Sequence, residues 1–173
     1  MTRDPIRPAG RCTGLLAIAV LTLGAAVAHP LAAQEHEMHE MHERMMSVEY
    51  LGEDPQFPFA EAVRVGNMLY LSGQVGEIGV AEARTLVPGG IQPETRQTME
   101  NIKATLEKYG SSIDEVVKCT VFLADIAEWP AMNEVYATYF TKHKPARSAV
   151  AGSGLALGAR VEIECLATVG IDG

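Results

Sequence analysis

Beyond residue 47 the chain switches between runs in which every second residue is apolar and runs in which apolar residues return at helical spacing. The stretch AVRVGNMLYLSGQVG, residues 62–76, holds two short β-type runs joined at Gly66-Asn67, a turn signal, and predicts a hairpin. RTLVPGGIQ breaks the pattern and predicts a loop. From Pro93 to Tyr109 the period becomes helical: Pro93 suits a first turn, Met99, Ile102 and Leu106 fall at i, i+3 and i+7, and Gly110 ends the element. Residues 114–125, DEVVKCTVFLAD, are rich in β-branched residues and predict a long strand. A second helix is expected over 128–143, with Pro130 near its start and Met132, Val135, Tyr136, Tyr139 and Phe140 on one apolar face. Two strands, near 147–151 and 160–170, close the pattern. Strand pair, helix, strand, helix, strand pair is the order of an α+β layer with both helices on one sheet face.

The last strand carries the most information. Alternation puts Val161, Ile163, Cys165 and Ala167 on one face and Glu162, Glu164, Leu166 and Thr168 on the other, so Glu162 and Glu164 look out together, roughly 7 Å apart. On these residues alone the plain reading is a solvated strand face, and the arginine of PARSAV, residues 145–150, is a surface charge. Yet helices cover only one side of such a sheet. Charged groups on the other side either meet water or line a seam with a second chain.

The first residues differ in kind. Three arginines, an apolar run of about 15 residues and small residues at 26–28 and 31–33 have the order of a secretory signal peptide over 1–33, cleaved after Ala28 or Ala33. The run is shorter than the ~20 residues of a spanning helix. An uncleaved anchor is the alternative; the expectation is export to a periplasm-like or extracellular space, the periplasm preferred, with no stable membrane insertion after cleavage. Residues 34–47 form a His/Met/Glu-rich spacer in which His36, His39 and His42 recur every third position. Such side chains can hold copper or zinc; a polar, mobile spacer without metal is the preferred reading. The domain is expected over 48–173.

The net charge of −8, with no basic stripe, argues against a nucleic-acid partner. Cys119 and Cys165 both sit in strand-like runs and are expected as two buried thiols rather than a bridge, and neither has a histidine partner that would make it a nucleophile. No phosphate-cradling glycine motif is present.

Five segments in order, SGQVG (72–76), NIKATLEKYG (101–110), VVKCTVFLAD (116–125), MNEVYATYF (132–140) and PARSAV with VEIECLA (145–167), resemble the reactive-intermediate deaminases, the Rid or YjgF-type proteins. The likeness spans about residues 48–170. It implies a chorismate-mutase-like fold and a homotrimer whose sheets meet as a barrel, with ligand clefts between neighbours. It further implies cofactor-free hydrolysis of 2-imino or enamino acids, such as 2-aminoacrylate, to 2-keto acids and ammonia. By resemblance Arg147 grips the ligand carboxylate, helped by the peptide N–H at Ala149, and Glu162 orients or activates water. Phe59, Ser72, Gly73 and Asn133 match positions that line the cleft. Many deaminating members carry tyrosine where Phe59 stands and cysteine where Ala149 stands, and GSGLALG, 152–158, replaces a segment with Leu-Pro. A non-catalytic, ligand-binding or holdase-like trimer of the same fold is therefore the alternative. An endoribonuclease label also attaches to the family, and the acidic balance opposes that activity here.

Overall fold

The structure is a computed structural model that describes residues 31–79 and 83–170. Apart from its last three positions, the leader expected over 1–33 lies outside the described residues. Residues expected as a mobile spacer are instead helical, in α1 (Leu31–Met46). The stretch contains no glycine or proline, and His36 with Glu40 and His39 with Glu43 pair one turn apart, each at 3.4 Å. Among the described residues no group of three or more His, Cys, Asp or Glu is placed to hold a metal ion, and His36, His39 and His42 are exposed.

The sheet is built from β1 (Val48–Leu51), β2 (Ala62–Val65), β3 (Met68–Leu71), β4 (Gln74–Val75), β7 (Val116–Leu123), β8 (Ala146–Ala151) and β9 (Val161–Thr168). A separate two-stranded piece pairs β5 (Glu77–Ile78) with β6 (Thr85–Leu86). The expected hairpin is β2 and β3, antiparallel, with Gly66 in the turn at φ 58° where a side chain would be strained. In the main sheet the order is β1-β2-β3-β9-β7-β8, with β4 also on β9. The two closing strands are therefore not a pair, which corrects the sequence expectation. β9 inserts between β3 and β7, and β8 runs parallel to β7 at the edge. β9, paired on both sides, alternates buried and half-buried residues, whereas β8, paired only with β7 among the described strands, is mostly exposed.

α2 (Ile91–Lys108) and α3 (Trp129–Tyr136) lie on one face. Their buried side chains, Met99, Ile102 and Leu106 with Met132 and Tyr136, meet Leu69, Val121, Leu123, Val161, Ile163 and Ala167 of the sheet. α3 is shorter than the expected 128–143. It gives way to turns after Tyr136, where Thr138 Oγ1 donates to the Val135 carbonyl at 2.7 Å; Phe140 still reaches the core. Every inward residue of β9 (Val161, Ile163, Cys165, Ala167) is fully buried, and the outward set is only partly so, as the alternation predicts.

Glu94, 3% exposed in the first turn of α2, fastens the start of β9: its Oε1 accepts from the N–H of Arg160 at 2.5 Å and of Val161 at 3.3 Å. A buried carboxylate is tolerable only with such donors. Gly76 makes room for it, since a Cβ there would collide with Glu94.

The pair of free thiols is also corrected. Cys119 and Cys165 are registered opposite one another across β7 and β9, with Cα atoms 4.1 Å apart, and form a disulfide. Directly opposed antiparallel positions bring side chains together on one face, so the register sets up the bond.

Two consequences for stability follow. Tyr136 is 6% exposed and its hydroxyl has no hydrogen-bond partner among the described residues; burial pushes its pKa up to about 12, against the nearby Arg147 charge. An unmade buried hydrogen bond costs ~1–3 kcal/mol, whereas the ring packing survives in phenylalanine. Tyr136→Phe should therefore leave the melting temperature unchanged or raise it by a few degrees; a clear fall in a thermal scan would mean that the hydroxyl is bonded. Glu61 accepts from Lys108 Nζ at 2.6 Å and Tyr109 Oη at 2.5 Å. Burial raises the Glu61 pKa, but these two hydrogen bonds, with the charges of Lys108 and Arg84, outweigh it and leave the group below its ordinary value. A depressed carboxylate contributes stability above its unfolded pKa and loses it as pH falls through the folded one. The difference in melting temperature between wild type and Glu61→Gln should be largest near neutrality, small because the pair is half-exposed, and vanish on acidification below the ordinary carboxylate range.

Candidate functional site

The residues singled out in the sequence fall into two groups on opposite sides of the sheet. Arg147 lies on β8 in register with Cys119, and Ala149 with Val121, so both share the face that the helices cover. Glu162 lies on β9 in register with Phe122, on the outward face and two strands away. Within one chain the arginine and the acid do not converge.

The first group is organised by α3. Trp129, Asn133 and Tyr136 stand at i, i+4 and i+7, one stripe of the helix. Arg147 Nη1 donates to Asn133 Oδ1 at 2.8 Å, while its guanidinium carbon lies 4.7 Å from the Tyr136 ring centroid and 5.6 Å from that of Trp129. Two aromatic contacts and one side-chain amide hold a planar cation, leaving other N–H groups for an anion. An open hollow of about 310 Å³ adjoins it, lined by Asn133, Tyr136, Ala137, Phe140, Pro145 and Arg147 among others. Ala149, partly buried, sits farther along the same edge strand. Trp129 and Tyr136 were missed as site residues by the sequence reading; their signal was the helical spacing to Asn133.

The second group centres on Gly73. A Cβ at this position would overlap Glu162 Oε1, so the glycine is what allows the carboxylate to lie against the backbone. β4, immediately after it, pairs Val75 with Glu162 and fixes the register. Ser72 is held from both ends: its N–H donates to the Glu61 carbonyl at 3.0 Å and its Oγ to the Ala60 carbonyl at 2.7 Å. Ser72 also lines a larger open hollow of about 740 Å³, with Tyr50, Phe57, Pro58, Phe59 and Val63. Phe59 is 58% exposed and its ring centroid is 5.5 Å from that of Phe57.

The outward sheet face that carries Glu162 is largely apolar at its far end. Tyr50, Val63, Tyr70 and Leu166 are successive cross-strand partners from β1 to β9, with Tyr50 65% exposed. Tyr50 and Tyr70 are exposed and Val63 and Leu166 half-buried, so the row leaves apolar surface open to solvent.

Residues 52–169 match the family model described as Endoribonuclease L-PSP. A mouse protein named 2-iminobutanoate/2-iminopropanoate deaminase is 42% identical over 113 residues, 65% of this chain and 82% of its own length. Yeast protein HMF1 is 46% identical over 109 residues, 63% of this chain and 82% of that protein. The crystal structure of Escherichia coli TdcF with bound serine superposes with a TM-score of 0.59 at 30% identity, covering 69% of this chain and 92% of that one.

These relatives correct one expectation. They include yeast and mouse proteins, and the matched residues begin at 52, beyond the apolar leader, so the periplasmic export read from the leader is not supported for this domain. Among the described residues no helix is long and apolar enough to cross a membrane. With the family model covering residues 52–169, the chain belongs to the Endoribonuclease L-PSP family, the Rid/YjgF proteins.

Proposed function

We propose that this protein is an imine deaminase that hydrolyses 2-imino and enamino acids to 2-keto acids and ammonia, in a cleft shared by two copies of the chain. The observation that carries the reading is the split of its chemistry: an arginine preorganised on the helix side of the edge strand, and a carboxylate against a glycine on the opposite face. Neither half can act alone. A cyclic trimer brings the outward face of one subunit to the edge of the next and covers the apolar patch in the same step.

In that cleft Arg147 pairs with the ligand carboxylate through its free N–H groups. The chain amide at Ala149 assists, and Asn133 keeps the guanidinium plane fixed. Glu162 accepts a proton from a water molecule as the water oxygen attacks the imine carbon. Starting from the protonated imine, that proton passes to the nitrogen of the carbinolamine, and as the C–N bond breaks the hydroxyl proton returns to Glu162, so that the carbonyl forms and ammonia leaves. An enamine enters the same path after protonation at carbon. The imine carbon is already electrophilic, so positioning and one base suffice and no metal or organic cofactor is required. The mouse relative's name supports the reaction type, and the serine bound to TdcF supports a small amino-acid-like ligand.

The test generates imino acids in place with an amino-acid oxidase and follows keto-acid release. Wild type should accelerate release, and Arg147→Ala and Glu162→Gln should each lower the enhancement by ~10²–10⁴-fold. Arg147→Lys should not restore it, since an ammonium lacks the planar fork. Unfolding the two inactive variants together and refolding them should recover activity at roughly a quarter of the sites, by random assortment in a cyclic oligomer. If neither wild type nor mixture releases keto acid faster than water, while a keto acid still binds, the protein is a binding module of this fold.

A further inference from the structure

Resting on the deaminase reading, we infer that Asn101 of α2 is a positioning residue for Glu162: it fixes the short strand β4, and through it the Gly73 backbone against which the carboxylate lies. Asparagine is a weak helix former, so what its side chain bonds to in mid-helix is informative. Thr98 and Thr105, on the same helix, return their hydroxyls to the helix's own carbonyls. Asn101 does not. Half-buried, it donates from Nδ2 to the carbonyls of Val75 and Glu77, each at 3.0 Å. Its Oδ1 accepts from Gln97 Nε2 at 2.9 Å, which holds the amide with its donor side toward the strand. The carbonyl between those two, on Gly76, accepts from the Val87 N–H at 2.9 Å. Three successive carbonyls where β4 turns into β5 thus find partners off the main sheet, two of them on one side chain.

β4 depends on such a clamp. Sheet strands usually run ~5–6 residues, whereas β4 pairs with β9 through Gln74–Ile163 and Val75–Glu162 alone. Val75 is therefore the registered partner of Glu162, and Gly73, two residues earlier, is where a Cβ would overlap Glu162 Oε1. A shift of β4 changes the wall behind the carboxylate. The same helix acts on Glu162 from a second direction. Glu94, two turns before Asn101, takes the N–H groups of Arg160 and Val161 and packs on Gly76. Asn101 and Glu94 together hold the two strands that frame the acid, while Arg147 and Asn133 lie on the other edge of the sheet, outside their reach.

This separation defines the test. In the full-length protein, Asn101→Leu should lower kcat by roughly 10- to 100-fold, the cost of displacing a catalytic group by a fraction of an ångström to an ångström. Pyruvate should still bind within about twofold of wild type, because Arg147 is untouched; its binding is followed by the fluorescence of Trp129, the single tryptophan, which stands beside Arg147. The 13C carboxyl resonance of Glu162, identified by its loss in Glu162→Gln, should move. Gln97→Ala, which frees the Asn101 amide, should give the same pattern at smaller size and decides the matter if Asn101→Leu does not fold. Ser111→Ala removes a hydrogen bond to the Thr168 carbonyl beyond the far end of α2 and should lower the melting temperature while retaining full kcat. A Glu162 resonance that stays in place overturns the positioning role, as does a displaced resonance with unchanged kcat, or kcat and pyruvate affinity falling together. A displaced resonance with no imine turnover by wild type discards the deaminase reading and sustains the placement of the carboxylate by Asn101.

Discussion

The register of β9 is the constraint on which the rest depends. A strand alternates strictly, so a slip by one residue would move Ile163 and Cys165 into the exposed face and drive Glu162 and Glu164 into the apolar core. Both costs oppose the slip. Pairing on two sides, with β3 and β7, and a third short contact from β4 fix the strand along its length. At its entrance the Glu94 carboxylate takes the N–H groups of Arg160 and Val161 before the first inward side chain is placed. The same register sets Cys119 against Cys165 and lays Glu162 over Gly73.

Chemistry and assembly are linked through the two faces of this sheet. The helix side is closed by α2 and α3, and Arg147 sits at its rim, where β8 is the last strand. The open side holds the acid together with exposed Tyr50 and Tyr70. In the proposed reading a monomer would leave apolar surface in water and the carboxylate without an electrophile, and the proposed trimer would answer both deficits by making the ligand cleft and the subunit interface one surface.

What the sequence made legible was what local periodicity encodes. The Gly66-Asn67 turn, the helical repeat of Met99, Ile102 and Leu106, and the in/out alternation of β9 each depend on neighbours a few residues away. Pairings between distant strands were not legible. That β9 enters between β3 and β7, that β8 joins β7 in parallel, and that the two cysteines face one another all follow from long-range register, which no window along the chain contains. Arg147 could be picked out by resemblance, but its placement on the helix side, stacked against Tyr136 and Trp129, needed the β7–β8 pairing. The leader misdirected the reading of location because its composition was interpreted apart from the domain behind it.

The bond between Cys119 and Cys165 gives the crossover an unusual topology. Forty-six positions separate the two cysteines, and the closed ring they define contains α3, β8 and the turn at 152–158. Arg147 and Asn133 lie inside this ring, whereas Glu162, also inside it, sits three residues from the clasp. Backbone cleavage at the exposed 152–158 turn would thus yield two pieces that remain one covalent molecule, with the cation and the acid still tied to the same pair of strands.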